Sequence, residues 1–223
     1  IIEKQDFLDA VDRIIGGLEK KNKIITPKEK RTIAYHEAGH ASVSWLLEHA
    51  NPLVKVTIVP RGQALGAAWY LPEERQITTK AQLLDQMISL LGGRAAEEIV
   101  FGEVSTGALN DLERVTKQAY AMVVYYGLDK EIGNISFYDS SGQSEYGFQK
   151  PFSDKTAEKI DAQIRSMVEE AYNKAKAILT ENREKLDALA TILVEREVIF
   201  REDVENIYGK RPWDEEKADE QQA

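Results

Sequence analysis

Apolar positions recur at helical spacing through most of this chain, and only a few short stretches read as strands. Phe7, Val11, Ile14 and Leu18 form a first helical stripe, with Asp9, Asp12 and Glu19 on other faces. Gly16-Gly17 weakens its end, and Lys20-Lys21-Asn22-Lys23 reads as a solvated connector. The best-signalled helix follows. Thr26 is placed as N-cap, Pro27 at the first helical position and Glu29 three residues on, which makes a capping box. This helix is predicted to run through Ile33-Ala34-Tyr35-His36-Glu37-Ala38-Gly39-His40 to about His49 and to stop at Asn51-Pro52, since the residue before a proline avoids the α region. At 1.5 Å per residue it would be roughly 34 Å long.

Val54 to Val59 alternates and is β-branched, and Ala67 to Leu71 is a second short apolar run. Between them Pro60-Arg61-Gly62-Gln63-Ala64-Leu65-Gly66 has turn composition, so a small hairpin is predicted rather than a large sheet. Thr79 and Gln82 form another capping box before a helix carrying Leu83, Leu84, Met87, Ile88, Leu91 and Ile99, ending near Gly102. A third helix starts after Ser105-Thr106-Gly107 and carries Leu112, Val115, Ala119, Met122 and Val123 before Gly127. Residues 128–152 read as a long loop with one strand-like run, Ile135 to Tyr138. Further helices are predicted from about Ser153 to Leu179, Arg183 to Val194 and Glu202 to Tyr208, before a polar tail over 209–223 expected to lack structure. The predicted fold is mainly α: a helical domain with a small β-hairpin or short sheet beside the candidate metal site.

Composition narrows the chemistry. The 223 residues hold 29 basic and 38 acidic side chains, a net charge of −9, and an acidic chain without a basic patch is a poor partner for phosphate backbones; no nucleic-acid binding is expected. With no cysteine, disulfides, thiolate nucleophiles, Cys-type zinc sites and iron–sulfur clusters are excluded. No run approaches the roughly 18 apolar residues of a membrane span. The opening Ile1-Ile2-Glu3-Lys4-Gln5 reads as the middle of a longer protein, so any membrane anchor is expected outside this chain.

Only three histidines remain as nitrogen ligands, and two of them are spaced for chemistry. His36-Glu37-Ala38-Gly39-His40 is an H-E-x-x-H pattern inside the best-capped helix. Residues four apart share a face, so both imidazoles can converge on one ion. Glu37 is turned about 100° away, out of line with the ion but able to reach a water on it. The same face carries Ile33, Val43 and Leu47, which turns it inward, and two imidazoles on an apolar face need a partner that a zinc ion supplies. Gly39, mid-helix at a cost of ~1 kcal/mol against Ala, implies a close approach to its backbone. His49, nine residues after His40, points to the opposite side and is expected to sit at the helix C-terminus, favourable to the dipole. The metzincin spacing fails, because Val43 and Leu46 stand where its glycine and third histidine belong. A catalytic zinc takes three protein ligands and keeps one open position, so the third ligand must be a carboxylate. Asp111, in the first turn of its helix, and Glu97, on the preceding helix, are both candidates. Spacing does not separate them; Glu97 could equally hold a ligating histidine from behind.

Beyond that pattern, Tyr35 to Ala41, Pro60-Arg61-Gly62 with Leu65-Gly66, Leu91-Gly92-Gly93-Arg94-Ala95-Ala96-Glu97-Glu98, and Ser105-Thr106-Gly107-Ala108 with Asn110-Asp111-Leu112 together closely resemble the FtsH-type AAA zinc metalloproteases of bacteria and organelles, over essentially the whole chain. The resemblance implies that Asp111 is the third zinc ligand. It implies a protein anchored by N-terminal helices in a bacterial or organelle inner membrane, hexameric, and powered by an ATPase module that precedes the protease domain. That domain would face the cytoplasm or its equivalent, and the fragment itself would be soluble. Residues 1–24 then look like the end of the ATPase lid and connector, 25–208 like the protease domain. No G-x-x-x-x-G-K-[ST] loop occurs here, so ATP and Mg²⁺ belong to a module outside this chain.

The activity expected is hydrolysis of peptide bonds in unfolded or membrane proteins, with Zn²⁺ acidifying a water and polarising the scissile carbonyl, and Glu37 taking and returning the proton. Cleavage needs an extended substrate, and the run of Ala67, Ala68, Trp69 and Tyr70 is the candidate edge strand for β-augmentation. A half-buried strand that meets no substrate reads equally well from that run, and no role for Trp69 or Tyr70 comes from the resemblance. The competing reading is a non-catalytic, hexamer-forming assembly domain with a structural zinc.

Overall fold

The computed structural model describes residues 26–60, 65–71, 76–138, 151–211 and 213. The stripe over residues 1–18, the connector at 20–23, most of the turn at 61–64, the loop at 139–150 and the tail from 214 lie outside the described residues. Six helices and three short strands occur in the order α1 (Pro27–Leu46), β1 (Leu53–Thr57), β2 (Ala67–Tyr70), α2 (Lys80–Phe101), α3 (Leu109–Tyr120), α4 (Asp154–Glu181), α5 (Arg183–Arg196), β3 (Val198–Phe200) and α6 (Arg201–Tyr208).

α1 begins where its capping box predicts: the Thr26 amide donates to Glu29 Oε2 at 2.9 Å and the Glu29 amide to Thr26 Oγ1 at 3.2 Å. From Ile33 through Trp45 every residue is buried, so this stretch of the helix has no solvent face and the single inward stripe of the sequence reading is replaced by burial all round. It also ends earlier than expected. Its last helical residue is Leu46, three residues before the predicted end; Leu47 is already extended (φ −106°, ψ 134°), and His49 lies in the following turn, its amide donating to Asp85 Oδ2 at 3.1 Å rather than serving a helix terminus. Just past the helix end one side chain gathers the main-chain carbonyls: Arg211 Nη2 donates to Leu47 O and Ala50 O, each at 2.7 Å. Arg211 is 3% exposed although it lies in the stretch read as a polar tail.

α1 and α2 cross with their backbones touching. A Cβ built on Gly92 would lie 2.7 Å from Gly39 O, and one on Gly39 would lie 2.7 Å from the Ala96 Cβ and closer still to Gly92 O. Gly39 is therefore where the close approach inferred from its sequence position occurs. The methyl of Gly39→Ala would gain ~1 kcal/mol of helix propensity but meets backbone that cannot swing aside, and overpacking of this kind costs about 1–3 kcal/mol or more. The expected result is a net loss of about 2 kcal/mol in urea unfolding.

The sheet is antiparallel in the order β2-β1-β3. β1 and β2 make the predicted hairpin, with Thr57 opposite Ala67 and Val56 opposite Ala68; β3 adds a third strand, Val56 opposite Ile199, that no alternation in the sequence announces. Val56 and Ile199 are fully buried and fix the sheet on the helices. The run 135–138 forms no strand: the Phe137 amide instead donates to Val124 O at 2.9 Å, and its ring packs on Phe152. That bond tethers the loop to a π-helical turn, Ala121–Tyr125, that continues α3.

Candidate metal centre

Three elements converge on one point. α1 brings His36 and His40 one turn apart, the first turn of α3 brings Asp111, and α2 passes behind the two rings. His36 Nε2 and His40 Nε2 are 3.1 Å apart, and Asp111 Oδ2 lies 3.4 Å from the first and 3.5 Å from the second. Donors on a tetrahedral zinc with bonds of about 2.0–2.1 Å stand ~3.3 Å apart, so this triangle has the size of such an ion's face. Among the described residues it is the one group of three histidine or carboxylate side chains placed to hold a metal. The backbone leaves room for it. A Cβ on Gly93 would lie 2.5 Å from His36 Nε2 and 2.6 Å from His40 Nε2, in the space between the donors.

The far nitrogens of both rings are committed elsewhere. His40 Nδ1 donates to Ser89 O at 2.9 Å, which fixes its tautomer and leaves the Nε2 lone pair toward the triangle. His36 Nδ1 donates to Glu97 Oε1 at 2.7 Å, and Glu97 Oε2 accepts from the Ser105 amide at 2.6 Å. Glu97, 2% exposed, thus backs His36 and stands outside the triangle that Asp111 completes. Its bond to Ser105 also anchors the start of the Thr106–Ala108 turn that delivers α3 and Asp111. That the Ser89 carbonyl and the Ser105 amide would serve these side chains was not legible in the sequence, because a backbone group has no residue preference.

Charge follows this geometry. Burial opposes a charge on His36, but the carboxylates of Asp111 and Glu97, which accept from its ring, outweigh it and push its pKa up to about 10. Burial opposes ionisation of Asp111 and Glu97 as well, yet their bonds to His36, with His40 adding on Asp111 and Ser105 on Glu97, hold both carboxyls below the ordinary range. Glu37 moves the other way. It is buried, burial raises its carboxyl, and the neighbouring imidazoles only partly offset this. Gly66, at the entry to β2, lies against it: a Cβ there would come within 2.7 Å of Glu37 Oε1.

Ala67, Ala68 and Tyr70 line the cleft that opens over the triangle, while Trp69 turns to the other side of the sheet, its ring 5.6 Å from Lys55 Nζ. β2 pairs with β1 on one side only and is an edge of the sheet.

Peptidase family M41 matches residues 23–207 of this sequence. The chain belongs to peptidase family M41. Among relatives of this M41 chain, the ATP-dependent zinc metalloprotease FtsH of Parabacteroides distasonis is 64% identical over 95% of the chain and 31% of its own length. FtsH of Karelsulcia muelleri is 52% identical over 92% of the chain and 33% of its own length. The mouse mitochondrial inner membrane m-AAA protease component AFG3L2 is 46% identical over 99% of the chain and 27% of its own length. The M41 chain therefore spans about a third of the length of these relatives. No helix among the described residues is long and apolar enough to cross a membrane.

Proposed function

We propose that this M41 chain is the proteolytic part of an ATP-dependent, membrane-anchored zinc endopeptidase that degrades unfolded or membrane proteins as a hexamer. The observation that carries the reading is the donor triangle of 3.1–3.5 Å standing beside a buried carboxylate in an open cleft. His36, His40 and Asp111 would hold zinc, which when bound supplies an acidified water and an electrophile for the scissile carbonyl. Glu37 takes the proton from the attacking water and delivers it to the leaving amine. Its raised pKa brings it nearer to neutrality, where a general base and acid works best. Glu97 orients His36 and keeps Nδ1–H pointing away from the ion. The edge of β2 would receive an extended substrate by main-chain pairing.

The size of the cleft, about 1680 Å³, exceeds the 300–1,000 Å³ of typical small-molecule sites and favours a polypeptide over a small non-peptide substrate. A structural zinc would want a fourth protein ligand, and the described residues offer three. Zinc stoichiometry measured together with casein turnover tests the assignment. Asp111→Ala is expected to lose both; zinc held by Asp111→Ala as firmly as by the parent chain would remove this residue from the ligand set. Glu97→Gln is expected to stay folded and to bind zinc about 10- to 100-fold more weakly.

A further inference from the structure

Arg114 lies one turn after Asp111, on the same face of α3, and lines the cleft. Its side chain is exposed, and among the described residues it has no ion-pair or hydrogen-bond partner. The nearest carboxylate in sequence is taken: Glu113 pairs with Lys117 at 2.5 Å. The cleft's other arginine, Arg31, is spread over the rings of Tyr35 and Phe101, and it sits on α1 ahead of His36, toward the opposite end. Arg114 belongs to the end where Tyr70 closes the cleft, and its positive field acts on that phenol.

Two polar side chains at that end are already engaged. Ser44 Oγ lies 2.7 Å from His40 O and 2.9 Å from the Tyr70 hydroxyl. A serine has one proton; given to the carbonyl, it leaves the Tyr70 phenol as donor to Ser44. Gln118 Nε2, one further turn along α3, donates to Leu83 O at 2.6 Å. Arg114 is thus a solvated guanidinium without a partner among the described residues, one turn from Asp111 and lining the cleft. Carboxylates also line the cleft, Asp111 and Glu113 among them, so any attraction for an anion is confined to direct contact with the guanidinium.

We propose that Arg114 is a specificity-determining residue that selects an acidic substrate side chain within a few residues of the scissile bond. This rests on the hydrolase reading above and deepens it. Guanidinium and carboxylate match as a two-pronged pair, which a glutamine at the same substrate position does not reproduce.

The test uses the chain as it stands, loaded with zinc, and two peptide series in which a single Glu or a single Gln is moved from three residues before to three residues after the cleaved bond. The expected result is a kcat/KM ratio of Glu over Gln peptide of about three- to tenfold at one position, reversed in Arg114→Glu and weakened toward one at 1 M salt. Taking the ratio cancels any general loss of turnover in the variant. Cleavage of both series with a ratio of one at every position, or a ratio that Arg114→Glu leaves in place, overturns the assignment while the hydrolase reading stands. Absence of zinc-dependent cleavage of either series overturns the hydrolase reading, and this inference with it.

Discussion

Glu37→Gln is expected to retain zinc and to lose about 10²- to 10⁴-fold of casein turnover. The amide keeps the length and shape of the carboxylate, so its packing against Gly66 survives. It cannot take a proton from water at neutral pH, and that is the whole of the expected defect. Because Glu37 is buried and its ionised form is opposed by burial, the neutral replacement should unfold no more readily than the parent chain. Metal content by atomic absorption, casein turnover and thermal unfolding on one preparation separate these claims. Equal turnover by the variant would remove Glu37 from the chemistry.

Gly93→Ala should produce the opposite dissociation from Gly39→Ala. Both positions lie inside helices, and both would gain from alanine's helix propensity. At Gly39 the new methyl meets the backbone of α2, and the fold suffers. At Gly93 the nearest atoms are the imidazole tips of His36 and His40 and not backbone, so the metal-free chain should lose less stability than Gly39→Ala does, the loss being what small ring shifts cost their Nδ1 hydrogen bonds. The space those tips share is then filled by carbon. Zinc binding and casein turnover should fall together, by more than tenfold, while the far-ultraviolet dichroism is unchanged. A Gly93→Ala chain that binds zinc as the parent does would show that the ion sits elsewhere.

Several elements were legible in the sequence because their signals are local. Thr26 with Glu29 and Thr79 with Gln82 fix two helix starts to the residue, and Gly102 at φ 71° fixes an end. Residues 36–40 carry their own geometry, since any helix places His36 and His40 on one face. What failed depends on groups distant in the chain. The end of α1 is set at Leu47 rather than near His49, with carbonyls satisfied by Arg211, more than 160 positions away. β3 has three residues, too few for an alternation to register, and exists because Val56 offers it a partner. Ile135 to Tyr138 has strand composition but pairs with no strand; the Phe137 amide donates instead to Val124 O in the turn that continues α3. Asp111 and Glu97 stayed equivalent by spacing until the fold put one in front of the imidazoles and the other behind.

The enclosure of α1 sets where this molecule can loosen. A segment with no solvent face exchanges its amide hydrogens only when its whole surroundings come apart, so its opening free energy approaches that of global unfolding. The two imidazoles ride on that segment. The β2 edge, half exposed, can breathe while the nitrogen pair keeps its spacing. Rigidity and access are thus assigned to different parts of the same cleft.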